Sequence, residues 1–152
     1  MEVFVLRHGK AEPYNSRDAS RELVERGRRE VEQIIQASLN DLQHLEEIWV
    51  SPYIRAQQTA QIAAHHLRLP LRSQKLLLPE TDPRLVISLI QEVQCASLLL
   101  VSHQPLVSRL VDTLCGSAAG FHSMETAALA CIDMEIAGVG LGNLRWLRHP
   151  SL

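Results

Sequence analysis

Arg7-His8-Gly9, Ser51-Pro52-Tyr53-Ile54-Arg55 and Ser102-His103-Gln104-Pro105 are the stretches of this chain whose residue types can do chemistry together. They hold two arginines, two histidines and no carboxylate. A guanidinium presents a planar fork of donors that matches an oxyanion. A neutral imidazole is available near neutral pH as a nucleophile or a donor. Phosphoryl transfer depends above all on positioning and charge neutralisation. The set therefore suits a phosphoryl group better than a carbonyl or a sugar. Histidine can accept that group covalently, and water can later release it. One ring nitrogen must then face phosphorus while the other keeps its proton, and a backbone carbonyl beside His8 can hold that proton. Gly9 fits beside it, because a backbone without a Cβ can pass close to an anion. Taken singly, Arg55 reads as a solvated helix residue and His103 as a capping histidine. It is their coincidence that points to an anion-handling site.

The elements that must position these residues can be read from the apolar pattern. Val3–Leu6, Ile48–Val50 and Leu98–Val101 read as buried strands, and each is followed directly by one of the three clusters. In a parallel sheet the carboxyl ends of the strands share one edge, where ligands bind. Arg7, His8, Arg55 and His103 can then converge. Apolar residues at helical spacing predict helices over Leu23–Leu42, with Gly27 on the stripe, and over Tyr53–Leu67. Asp82-Pro83 predicts a capped helix start, with Leu85, Val86, Leu89, Ile90 and Val93 inward. A further helix after Pro105 turns Leu106, Val107, Leu110, Val111 and Leu114 inward. Leu76–Leu78 is a candidate third strand, and Ala127–Met134 and Asn143–Arg148 are two late ones. Alternating strands and helices predict an α/β domain with a mostly parallel sheet. The two late strands have no helix between them, so one end of the sheet is expected to be antiparallel.

A length of 152 residues fits one domain, 1–152, with a sizeable core. Hydrophobic residues make up 46% and charged ones 21%, the balance of a soluble globular protein, and no internal repeat appears. A net charge of -2 argues against broad nucleic-acid or anionic-membrane binding. Cys95, Cys115 and Cys131 lie in apolar runs at irregular spacing, which reads as a reducing compartment. No signal peptide or membrane span is visible, so the expected location is cytoplasmic. No metal or cofactor is expected: His65 and His66 are adjacent on a helix and point apart, and His44, His122 and His149 stand alone.

Three motifs carry a family resemblance over nearly the whole chain. Val3-Phe4-Val5-Leu6-Arg7-His8-Gly9 resembles the signature of the histidine phosphatase superfamily, which includes the phosphoglycerate mutases. Ser51 to Ala60 resembles its Ser-Pro-x-x-Arg-Ala-x-x-Thr-Ala motif, and Val101-Ser102-His103-Gln104-Pro105 its third. The small size resembles the bacterial protein-phosphohistidine phosphatases of the SixA type. The resemblance implies a three-layer α/β/α sandwich, a nucleophilic His8, and Arg7, Arg55 and His103 around the phosphate. It makes Arg21 a candidate rim contact in substrate binding, along with Gly9. Val24 stands where the family has a capping threonine, which leaves Ser20 as the candidate cap. Many relatives protonate the leaving oxygen with a glutamate, and Glu80 is the candidate here, against a plain solvated loop carboxylate. The implied substrate is a phosphohistidine-bearing signalling or phosphotransfer protein. The alternatives are a small-molecule phosphomonoesterase and, from another class, a non-catalytic phosphate-binding module.

Overall fold

The computed structural model describes residues 1–14 and 16–151. Six strands form one sheet: β1 Glu2–Arg7, β2 Glu47–Val50, β3 Leu71–Ser73, β4 Ser97–Ser102, β5 Leu129–Asp133 and β6 Asn143–Arg148. Their spatial order is β3-β2-β4-β1-β5-β6. The pairs β3/β2, β2/β4 and β4/β1 are parallel, while β1/β5 and β5/β6 are antiparallel. The expected antiparallel end is thus formed by the two late strands. Helices α1 Glu25–Ala37 and α2 Ile54–Leu67 cover one face, and α3 Pro83–Gln91 and α4 Leu106–Cys115 the other.

The layering follows from the period of a strand, which sends alternate side chains to opposite faces. Val3, Val5, Trp49, Leu98 and Leu100 pack with Val86, Ile87, Ile90, Leu106, Val107 and Leu110. Phe4, Leu6, Ile48, Val50, Leu99 and Val101 pack with Val31, Ile34, Ile35, Ala56, Ala60 and Ala63. Being covered on both faces, β4 is buried along its whole length, which is why it reads as a continuous apolar run. Among the described residues no helix is long and apolar enough to cross a membrane.

Several local expectations need correction. Leu76–Leu78 is not a strand; β3 is Leu71–Ser73, a short edge strand only half covered, so it carries no apolar run. The apolar signal belongs to a turn that plugs Leu77 into the core beside α3. In α3 the buried residues are Val86, Ile87 and Ile90, while Leu85 is exposed. Leu89 and Val93 pack half-buried against the same core, so the expected face holds apart from Leu85, whose place is taken by Ile87. Asp82 does cap it, accepting the Arg84 N–H at 2.9 Å. Ser20 does not cap α1: its hydroxyl donates to the Arg17 carbonyl within a 3₁₀ turn, Asp18–Ser20, and Val24 is the N-cap without a side-chain bond. The α1 helix stops at Ala37, and the stripe continues through turns to a buried Leu42.

The N-terminus of α1 lies flat on the backbone that leaves β1. Val24 N–H donates to the Lys10 carbonyl at 3.0 Å. A Cβ on Gly27 would overlap that same carbonyl oxygen. A Cβ on Gly9 would lie 2.8 Å from the Gly27 carbonyl oxygen and from Val31 Cγ2. Gly9 is therefore needed for contact with α1, which is a different reason from the anion approach expected of it.

Candidate active site

The register of the sheet brings the three clusters to one edge. Arg7 pairs with Ser102, and Val50 with Val101. One residue further on, His8 N–H donates to the Ser102 carbonyl at 3.0 Å, and Ser51 N–H to the Val101 carbonyl at 3.1 Å. His8, Ser51 and His103 therefore leave three adjacent parallel strands side by side. The His8 and His103 rings stand 5.1 Å apart between centroids. Arg55 enters from the first turn of α2, and all of Arg55, His8 and His103 are buried.

Hydrogen bonding fixes the tautomer of His8. Its Nδ1 lies 2.7 Å from the Gly9 carbonyl oxygen. A carbonyl can only accept, so Nδ1 carries the proton. The lone pair is then on Nε2, where Arg55 Nε–H donates to it at 3.2 Å. Gly9 N–H is itself tied to Thr59 Oγ1 at 3.1 Å, and Thr59 donates to the Arg55 carbonyl at 2.8 Å. The loop that carries the His8 proton acceptor is in this way fastened to α2.

His103 is oriented by Ser51, with Nε2 and Oγ 2.7 Å apart. Ser51 Oγ also accepts the Tyr53 N–H at 3.2 Å. The other ring nitrogen of His103, Nδ1, is buried and, among the described residues, has no hydrogen-bond partner. Tyr53 packs its ring edge-on to His103 at 5.1 Å and lies under the Arg55 guanidinium at 5.2 Å. Arg7 is aimed by one bond, from Nη1 to the Met124 carbonyl at 2.9 Å. Gln104 Nε2 donates to that same carbonyl at 3.0 Å. Arg7 Nε is a second buried nitrogen with no partner among the described residues.

Burial and positive charge set the protonation states. Burial, then the cations Arg55, Arg7 and Arg21, push the His8 imidazole from 6.5 down to about 4, with the Gly9 bond opposing them. Burial, then His8 and the cations, push His103 down to about 2. Both rings are neutral near pH 7. Arg7 and Arg55 are lowered first by burial, yet arginine stays charged at neutral pH. The result is a buried, cationic site holding a neutral imidazole whose Nε2 lone pair faces Arg55, which suits nucleophilic attack on a bound oxyanion.

Sequence reasoning missed Asp18. Its carbonyl accepts from Arg55 Nη1 at 2.7 Å, and its carboxylate from Arg55 Nη2 at 3.2 Å and Arg21 Nη1 at 2.9 Å. Nothing in the sequence flags a carboxylate 37 residues from its partner. Ser51 and Thr59 were legible, since both fall inside the second motif. Arg21 is brought near the site, where it bonds Asp18 and the Glu12 carbonyl. Glu80 is exposed and lines a separate hollow of about 440 Å³ with Asp82, Arg109, Asp112 and Thr113. None of Arg7, His8, Arg55 or His103 lines that hollow. His122 and His149 do not stand alone: they pair with Asp112 at 2.7 Å and Glu125 at 3.5 Å. Among the described residues no group of histidine, cysteine and carboxylate side chains could hold a metal ion.

Known proteins resemble this chain in sequence and in fold. The model of the histidine phosphatase superfamily (branch 1) matches residues 3–78. Phosphohistidine phosphatase SixA of Escherichia coli (strain K12) is 32% identical over 155 residues, covering 99% of this chain and 94% of that one. The SixA homolog of Haemophilus influenzae is 31% identical over 76% of this chain and 78% of its own. A solved structure of the protein histidine phosphatase SixA complexed with tungstate superposes with a TM-score of 0.89, at 31% identity, over 99% of this chain and 97% of that one.

Proposed function

Since the chain belongs to the histidine phosphatase superfamily, we propose that it is a phosphatase that removes phosphate from phosphohistidine on a partner protein, with His8 as nucleophile. The observation that carries this reading is the fixed tautomer of His8, with Nδ1–H on the Gly9 carbonyl and the Nε2 lone pair facing the Arg55 guanidinium.

The reaction has two halves. His8 Nε2 attacks phosphorus; the new P–N bond forms as the bond from phosphorus to the substrate nitrogen breaks, and the departing imidazole keeps that electron pair. Arg7, Arg55 and His103 neutralise the equatorial oxygens through donors already in place, so little reorganisation is needed. Water then attacks phosphorus on His8; the new P–O bond forms as the P–Nε2 bond breaks, Nε2 takes back its electron pair, and the proton that water gives up leaves with inorganic phosphate and solvent. Through both halves the Gly9 carbonyl holds the Nδ1 proton and disperses the charge that develops on the ring. The substrate class comes from the likeness to SixA and from its leaving group: an imidazole protonated by solvent departs readily, whereas an alkoxide needs an enzymic acid.

The test compares a phosphohistidine protein, an aryl phosphate and an alkyl phosphate. Turnover is expected on the first, weaker activity on the second, and little on the third. Acid-labile, base-stable phosphate should be trapped on the enzyme and be lost in His8→Ala. Label on serine or cysteine would refute the nucleophile. Alkyl-phosphate turnover exceeding that of phosphohistidine would replace the substrate class with small phosphomonoesters.

A further inference from the structure

Three guanidinium groups, those of Arg7, Arg21 and Arg55, surround His8, and their charges each act to hold its imidazole neutral. The Asp18 carboxylate stands between two of them. Asp18 binds both terminal nitrogens of Arg55, Nη1 through its backbone carbonyl and Nη2 through Oδ2. Its other carboxylate oxygen binds Arg21, whose Nε is braced by the Glu12 carbonyl at 2.7 Å. This grip leaves Nε as the nitrogen of Arg55 that points at His8 Nε2. The charges agree with the geometry. Burial raises the Asp18 carboxyl, and the bonds and charges of Arg21 and Arg55 outweigh it, so that its pKa is lowered overall. The Arg55 side chain is only 4% exposed, so its orientation is set by these contacts and not by water.

We propose that Asp18 is a positioning residue of the phosphoryl site, clamping the terminal nitrogens of Arg55 so that its Nε stays aimed at His8 Nε2, the atom that receives phosphorus. The proposal rests on the histidine-nucleophile reading above. Before the reaction the Arg55 Nε–H donates to the lone pair on Nε2. When the P–N bond forms, that lone pair is consumed, and the same N–H is left beside an oxygen of the transferred group. A clamped guanidinium can exchange one acceptor for the other with a small shift. Without the Asp18 carboxylate only the backbone carbonyl of residue 18 would hold Arg55, and the guanidinium, repelled by Arg21, could turn about that single bond. Removing the carboxylate also removes a repulsion felt by the incoming anion. The loss should therefore fall on the chemical step and spare capture.

In the intact protein, Asp18→Ala is expected to lower kcat on an aryl phosphate roughly ten- to a hundredfold, as misplaced catalytic groups do. KM and the inhibition constant for tungstate should be unchanged or lower. Asp18→Asn keeps one side-chain acceptor, the amide oxygen, which can still take the Arg55 Nη2 bond while its NH2 faces Arg21, and should recover part of kcat. In an Arg55→Lys background, which has no fork to clamp, Asp18→Ala should cost about twofold or less. Undiminished kcat in both Asp18 variants would overturn the proposal. So would an equal loss in the Arg55→Lys background, or a loss confined to KM. Asp18→Asn, being isosteric, keeps the test open if Asp18→Ala unfolds. Wild type quenched in the same assay must carry phosphate on His8. Its absence would overturn the nucleophile reading and this inference together, whereas labelled His8 with fully active Asp18 variants would overturn the inference alone.

Discussion

A buried imidazole whose Nδ1–H is bound by its neighbour's carbonyl has only one nitrogen left for chemistry, and in His8 that nitrogen faces a guanidinium. The pairing needs no carboxylate to orient the ring, so the site stays cationic and keeps its attraction for an anion. Glu80 belongs to a different setting: it is exposed and shares no hydrogen bond with Arg7, His8, Arg55 or His103 among the described residues. We expect Glu80→Gln to leave phosphohistidine hydrolysis within about twofold of wild type, since surface substitutions away from a site usually change little. Steady-state rates on phosphohistidine and alkyl phosphate decide it. A loss above tenfold that grows with the basicity of the leaving group would restore Glu80 as the general acid.

At the scale of elements, β1, β2 and β4 deliver residues 8, 51 and 103 to one edge because their registers coincide there. The helices then tune what the strands deliver. The loop after α4 shows this, because it ends at Met124, whose carbonyl aims Arg7. Buried Asp112 on α4 anchors that loop by accepting from Gly120 N–H at 3.0 Å, His122 N–H at 3.0 Å and His122 Nδ1 at 2.7 Å. Asp112→Ala strands all three donors. The expected cost is about 1–3 kcal/mol, because Gly120 is exposed and His122 half-buried, so water replaces part of the lost bonding. Denaturant unfolding measures it; a loss below about 0.5 kcal/mol, the range of ordinary surface substitutions, would show that the loop is held by other contacts. The apolar patterns of β1, β4 and α4 announced those elements plainly. β3 did not, because an edge strand of three residues has too little buried surface to leave a pattern.

For the molecule as a whole, the neutral histidines link stability to pH. Both are lowered from 6.5, His8 to about 4 and His103 to about 2. Below pH 6.5 the unfolded chain binds protons that the folded chain refuses, so unfolding gains ground as pH falls. The stability they contribute is complete above the unfolded value and is lost through the window from 6.5 down to about 4 for His8 and about 2 for His103. Urea midpoints measured from pH 7 to pH 5 should therefore fall, and His8→Gln should remove a large part of that slope. A flat profile, or an unchanged slope in His8→Gln, would contradict the protonation states described above. A saturating oxyanion should offset the fall, since bound negative charge favours imidazolium.

The amino-acid sequence by itself determined the α/β class, the order of strands and helices, and which strand ends carry the candidates Arg7, His8, Arg55 and His103, because strand ends and helix starts are local and the chemistry of a side chain travels with its type. The antiparallel end of the sheet was legible too, from the missing crossover helix between β5 and β6. Tertiary structure alone decided which nitrogen of His8 is free, since that depends on where the Gly9 carbonyl points. It alone decided that Gly9 and Gly27 exist for each other, as no local pattern reports the approach of two backbones. It alone brought Asp18 onto Arg55. A carboxylate in a polar loop is indistinguishable from a solvated one until folding places it against a buried cation, and the energy of that contact depends on distance and burial, which sequence spacing does not contain.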